Sequence, residues 1–309
     1  MSHCKPFIAL LLLLAALLAC TPPMHQPVPS LSAVTETSPL LPTETQTIMH
    51  PLSPSETVQL MQRGVNMGNT LEAPREGEWG FKITQEHFQR IRAAGFASVR
   101  IPTRWNAHAL AESPYTIDPA FFARLDEVIG WALGQDLVVV LNIHHYEEMA
   151  TEPVAHEERF LALWRQIAGH YQGYPPTLIF ELLNEPNEAM TAPLWNEFFP
   201  KGVAAIRESH PDRNIIIGGV SWNAYDQLAS LELPAGDEHL IATFHYYLPF
   251  HFTHQGAEWA GDEAQTWLGA TWQATDAEKA AIDQHFALVA AWSARSEEHT
   301  SELQSRQVI

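Results

Sequence analysis

Six short runs rich in Val, Ile, Leu and other apolar residues recur at 64–68, 98–102, 137–143, 178–183, 214–218 and 240–246, separated by stretches with helical spacing. Several are continuous and β-branched, as expected of parallel strands covered on both faces. The helical patterns are distinct. Phe121, Leu125, Val128, Ile129, Ala132 and Leu133 form one apolar stripe, entered by Asp118 as N-cap and Pro119 in the first turn. Phe160, Leu163, Trp164, Ile167 and Tyr171 form another. Thr275 and Glu278 make a capping box ahead of Ile282, Phe286 and Val289. This alternation predicts right-handed crossovers and either a parallel barrel or a doubly wound sheet. No Gly-rich phosphate loop follows the first run, which disfavours a nucleotide-binding sheet.

A chain of 309 residues, 46% of them hydrophobic, can bury a single large core. Its formal net charge of -19 argues against nucleic acid or an anionic lipid surface as partner and leaves neutral polymers open. Both cysteines, Cys4 and Cys20, are N-terminal, so no disulfide framework is expected in the folded domain. Residues 7–19 are an apolar run too short to span a bilayer, as in a signal peptide (1–20). Leu17-Leu18-Ala19-Cys20 resembles a bacterial lipobox with Cys20 as the lipidated residue, and Thr21 after it is compatible with the outer membrane. The alternative is an ordinary secretory signal with an incidental cysteine. Residues 21–54 are rich in Pro, Ser and Thr and read as a flexible linker. Residues 55–294 form the folded domain. Residues 295–305 match the translation of the start of a widely used sequencing adapter, so 295–309 is expected to be non-native and the frame to be cut near Ala294, leaving six strand–helix units.

The chemistry concentrates in 177–187, Thr-Leu-Ile-Phe-Glu-Leu-Leu-Asn-Glu-Pro-Asn. An apolar strand ends there by presenting Asn184 and Glu185, and Pro186 stops the ladder. A carboxylic acid at the C-terminal end of a parallel strand, beside an amide, is placed to donate a proton. A surface carboxylate in a turn is the plainer alternative. Alternation puts Glu181, Leu183 and Glu185 on one face, so Glu181 is expected inside the barrel as a structural partner of Arg100. His144 and His145 raise the question of a metal. Strand neighbours point oppositely, and no Cys or carboxylate spacing completes a ligand set, so none is expected. His245 and Tyr247, two apart, share a face.

The stretches Gly64-Val-Asn-Met-Gly-Asn-Thr-Leu-Glu-Ala-Pro74, Val99-Arg-Ile-Pro102, Asn142-Ile-His-His-Tyr146, Asn184-Glu-Pro186 and His245-Tyr-Tyr247, in this order, resemble glycoside hydrolase family 5, the large cellulase family. The resemblance runs from about Val58 to Ala294. It includes the Glu-Ala-Pro and His-Gln-Gly-Ala-Glu-Trp stretches of a bacterial branch acting on β-1,4-glucans and sometimes mannans. It implies an α/β fold, a (β/α)8 TIM barrel, and retaining hydrolysis by two carboxyl groups about 5–5.5 Å apart with no cofactor. Glu185 would be the acid/base, Asn184 would contact the sugar 2-hydroxyl, and Arg100 would keep the nucleophile ionised. His144 and His145 would touch sugar, and His245 and Tyr247 would flank the catalytic pair. Asn69 and Glu72 would bind sugar hydroxyls, and Trp259 would stack on a pyranose. Trp222 is either a second platform or core.

The family's nucleophile lies after strand seven in a Gly-Glu-Phe-Gly-like motif that this chain lacks, and neither Glu78 nor Glu258 stands in the right loop to replace it. The expected parent protein is a monomeric endo-β-1,4-glucanase acting on β-linked polysaccharide, anchored to the bacterial cell envelope through Cys20 or secreted. The fragment itself is expected to be inactive. A β-mannanase, a mixed-linkage glucanase and a non-catalytic glycan-binding lipoprotein are the alternatives.

Overall fold

The computed structural model describes residues 49–298. The expected signal segment with Cys4 and Cys20, the expected linker as far as residue 48, and residues 299–309 lie outside the described residues. The folded part opens with α1 (Pro54–Met61), started by a capping box in which Glu56 N donates to Ser53 Oγ at 3.2 Å and Ser53 N donates to Glu56 Oε2 at 2.9 Å.

Six strands follow: β1 (Gly64–Asn66), β2 (Ser98–Ile101), β3 (Val138–Asn142), β4 (Leu178–Glu181), β5 (Ile215–Gly218) and β6 (Leu240–Thr243). They pair in parallel in sequence order, with β1 and β6 at the edges. The crossovers hold α2 (Gln85–Ala93), α3 (Pro119–Leu133), α4 (Glu147–Thr151), α5 (Pro153–His170) and α6 (Ala192–Arg207). Only a 3-10 segment, Tyr225–Ser230, joins β5 to β6. Beyond β6 come the short helices α7 (Phe250–Thr253) and α8 (Glu263–Thr266), then α9 (Asp276–Glu298). The expected Thr275–Glu278 capping box starts α9, with Thr275 N donating to Glu278 Oε2 at 2.8 Å. The helix runs on past Ala294 to Glu298. The sheet is a six-strand, incomplete barrel.

Period-two alternation divides the strand side chains into two layers. Val139, Leu141, Leu178, Phe180, Ile215, Ile217 and Leu240 join the helix stripes in the main core. Val138, Val140, Ile179, Ile216 and Ile241 form the inner layer, against which Val58 and Met61 of α1 pack. Asn214 Nδ2 fastens α1 there, donating to Leu52 O at 2.8 Å and Thr57 Oγ1 at 2.7 Å.

Every expected strand is shorter than its apolar run, and all but β5 stop before the run's C-terminal end. A strand leaving its ladder strands a carbonyl, which must find another donor when buried. Three fully buried tryptophans supply it. Trp105 Nε1 donates to Asn142 O at 3.0 Å, Trp164 Nε1 to Leu182 O at 3.0 Å, and Trp195 Nε1 to Gly218 O at 2.9 Å. These carbonyls lie at or just past the ends of β3, β4 and β5. Trp164→Phe keeps most of the apolar volume but removes the donor to Leu182. It is expected to lower the unfolding free energy by about 1–3 kcal/mol, read as a lower urea midpoint at unchanged slope.

Candidate active site

The rim where the strands end is stitched by single backbone bonds that continue the sheet. His144 N donates to Thr103 O at 2.9 Å, Asn184 N to Ile143 O at 3.0 Å, Trp222 N to Pro186 O at 3.2 Å and His245 N to Asn223 O at 2.7 Å. With the strand period interrupted, neighbouring residues no longer alternate, and one expectation fails here. His144 and His145 do not point to opposite sides, because both line the cleft, their ring centroids 4.8 Å apart. Leu183 belongs to the main core and also lines the second arm beside Glu185.

The centre of the cleft is the guanidinium of Arg100. Its Nε and Nη2 donate to Glu181 Oε2 and Oε1 at 2.5 and 2.7 Å, Nη2 also to Asn184 Oδ1 at 2.6 Å, and Nη1 to Asn66 Oδ1 at 3.1 Å. Glu181 is only 2% exposed, so the pair is the barrel-interior ion pair expected from alternation. Burial alone disfavours the charge on Arg100, but the attraction of Glu181 outweighs it and raises the guanidinium pKa further. Asn184 spends its carbonyl oxygen on Arg100, which leaves its NH2 as the half of the amide available to a ligand.

Glu185 stands apart from this pair. Its Oε1 lies 2.6 Å from His245 Nδ1, and both side chains are partly exposed. Tyr247 follows, 6.3 Å from His245 between ring centroids, with burial and the Glu185 carboxylate raising its hydroxyl pKa. His144 is set by a neighbour two residues back. Asn142 Oδ1 accepts from Thr103 N at 3.3 Å, so Asn142 Nδ2 is the donor toward His144 Nδ1 at 3.1 Å, and the imidazole proton belongs on Nε2. Burial, then the charge of Arg100, holds His144 well below the ordinary histidine range. Burial and Arg104 lower His145 less far.

A cavity of about 560 Å³ contains Arg100, Glu181, Glu185, Tyr247, His254 and Trp259 on one side. It shares His144, His145, Asn184 and Glu185 with a second arm of about 290 Å³ that ends at Glu147, Glu188 and Trp222. Trp259 is therefore on the cleft, 73% exposed, its edge against His254 at 5.0 Å. Trp222 is 56% exposed and is not core. Its turn is unusual, since Ser221, Trp222 and Asn223 all have left-handed φ, a conformation costing about 1–2 kcal/mol per non-glycine residue.

The structure does not bring two expected residues into the cleft. Glu72 is 3% exposed, and its carboxylate oxygens accept the backbone amides of Asn69 and Thr70. The two amides take part of its acceptor capacity, and the buried side chain presents almost no surface to the cleft. Asn69 is exposed, left-handed and not among the lining residues. Conversely, Asn66 and His254 line the cleft without a local signal of their own, and Trp79, 44% exposed, stands beside it with its ring 5.6 Å from that of the lining residue His145. Trp79 sits in an aperiodic loop and carries no local signal. Asn66 was legible in principle, because strand register sets it opposite Arg100. Among the described residues, no group of three or more His, Cys, Asp or Glu side chains gathers to hold a metal ion.

Residues 56–302 match the model of the cellulase family, glycosyl hydrolase family 5. Over 245 residues the chain is 37% identical to endoglucanase H of Acetivibrio thermocellus, covering 79% of this chain and 26% of that protein. It is 33% identical to endoglucanase 1 of Ruminococcus albus over 71% of this chain and 60% of that one. The chain thus spans from about a quarter to less than two thirds of these relatives. The crystal structure of endoglucanase Cel5A from Thermotoga maritima superposes with a TM-score of 0.77 at 46% identity, covering 80% of this chain and 79% of that one. That enzyme has also been solved with cellobiose and with mannotriose.

His144 gives a pH prediction with a definite sign. An unfolded chain takes up a proton at His144 near the ordinary value of 6.5, whereas the folded chain resists it. The stability from this group is therefore complete above 6.5 and lost as pH falls toward the lowered folded value. Ring resonances of His144 are expected to stay at the neutral position as pH passes down through 6.5; titration at that pH contradicts the assignment.

Proposed function

The chain belongs to the cellulase family, glycosyl hydrolase family 5, and from that premise we propose that it is the catalytic-barrel portion of a retaining endo-β-1,4-glucanase. The observation that carries this reading is Glu185, at the rim beyond β4, between Asn184 and the His245 ring. In this reading Glu185 protonates the glycosidic oxygen as the bond breaks. His245 Nδ1, 2.6 Å from Glu185 Oε1, fixes the carboxyl group and offers a partner for its proton. Asn184 NH2 addresses the sugar beside the scissile bond, and His144 and His145 contact neighbouring hydroxyls. Trp259 and Trp222 offer apolar faces in the two arms, suited to the C–H faces of equatorially linked pyranoses. An open cleft with two arms fits internal cutting of a long chain.

Retention needs a second carboxylate about 5–5.5 Å from the acid. Among the described lining residues, Glu181 is committed to Arg100, Glu147 is paired with Arg104 at 3.3 Å, and Glu188 is exposed in the second arm. A guanidinium such as that of Arg100 favours the ionised form of a carboxylate nucleophile placed beside it. We propose that the 309-residue chain binds β-glucan and does not turn it over. The mannotriose complex of Thermotoga maritima Cel5A supports β-mannan as a second substrate class. The lipobox-like Leu17-Leu18-Ala19-Cys20 supports a lipid anchor at Cys20 and a place in the cell envelope.

Cellotetraose is expected to quench tryptophan fluorescence. Trp259→Ala is expected to weaken binding roughly two- to tenfold, equivalent to about 0.5–1.5 kcal/mol. Soluble cellulose should be hydrolysed negligibly. Failure to bind any cello-oligosaccharide sinks the glucan reading. Turnover that Glu185→Gln abolishes would mean that this chain supplies its own second carboxylate.

A further inference from the structure

Just past β5 the chain makes three consecutive left-handed residues, Ser221, Trp222 and Asn223, with φ of 54°, 58° and 60°. None is glycine, so the surrounding structure must hold the turn. Asn223 is wholly buried, and its carboxamide lies directly over the last residue of β5. A Cβ on Gly218 would stand 2.1 Å from Asn223 Oδ1, so only glycine leaves room for it. Oδ1 accepts from Gly219 N at 3.0 Å, and Trp195 Nε1 holds the Gly218 carbonyl from the other side at 2.9 Å.

The backbone of this turn reaches two ways. Trp222 N donates to Pro186 O at 3.2 Å, the residue after Glu185, and Asn223 O accepts from His245 N at 2.7 Å. Glu185 and His245 belong to the ends of β4 and β6, which do not pair with each other, since β5 lies between them. Their 2.6 Å contact therefore spans the end of β5, and the left-handed turn is the backbone that bridges it.

We propose that Asn223 is a positioning residue. Seated in the space above Gly218, its carboxamide locks the turn that sets the Glu185–His245 contact and presents Trp222 to the second arm. The proposal deepens the glucanase reading and rests on it for the choice of ligand. A turn that were merely a product of loop length would tolerate loss of the Asn223 side chain.

Asn223→Gly separates these cases, because glycine accepts a left-handed φ without strain and only the carboxamide is lost. The expected result is a shift or broadening of the His245 amide and Trp222 indole resonances. Cellotetraose affinity should fall about two- to tenfold, the scale of losing one aromatic contact in the second arm. Asn223→Asp keeps an accepting oxygen for Gly219 N and is expected to restore both readouts at low pH, where its buried carboxyl is protonated. Unchanged resonances and affinity in Asn223→Gly overturn the proposal. Hydrogen exchange on the unmodified chain tests it without any variant: the amides of Gly219, Trp222 and His245 should be protected together, and exchange at unprotected rates overturns it. If the unmodified chain binds no cellotetraose, the glucan reading fails, while the resonance and exchange results still decide the role of Asn223.

Discussion

The rim is organised by one guanidinium. Arg100 on β2 reaches Glu181 on β4 with two parallel bonds, Asn66 at the end of β1, and Asn184 beyond β4. A carboxylate as buried as Glu181 is tolerated only because a bidentate partner repays its desolvation, and such a pair is better evidence for orientation than for stability. A lysine has one point charge and no planar fork, and it could not hold these three acceptors in one geometry. Arg100 also reaches beyond its direct contacts, since its charge helps keep His144 neutral and acts on Tyr247. The cleft thus combines a fixed cation, a neutral imidazole and a separate carboxyl group, Glu185, that Arg100 does not bind.

Around that centre the backbone solves a recurring problem. Parallel strands must end somewhere, and each ending exposes polar groups at the edge of a dry core. Trp105, Trp164 and Trp195 answer with indole donors from within the helix layer, anchoring the strand ends by groups that are otherwise pure apolar volume. Single amide bonds between successive rim segments then carry the sheet one step further, and those segments hold the functional side chains. The strand ends at the centre of the site are buried, whereas Trp79, Trp222 and Trp259 stand exposed on separate loops.

Much of this was legible in the chain. The six apolar runs mark all six strands, Asp118 and Thr275 cap the helices they were expected to cap, and alternation inside β4 turns Glu181 toward Arg100. The failures cluster just beyond the strand ends. A period of two would turn His144 and His145 to opposite sides, but that period ends at Asn142. Glu72 is buried and bonded to two amides of its own loop, a contact that no spacing in the sequence announces. Trp79 and His254 lie in loops without periodicity, so their approach to the cleft leaves no trace in spacing.

Sequence alone determined the strand–helix alternation, the inward and outward faces within each strand, and the residue types at the rim, because these follow from local periodicity and the chemistry of single side chains. Tertiary structure decided which acceptor each donor found. That Arg100 joins Glu181 to Asn184, that Glu185 meets His245 across the end of β5, and that Glu72 turns inward are outcomes of competition among partners distant in the chain. Such competition is settled by desolvation and geometry once the strands are in register, and no local pattern encodes it.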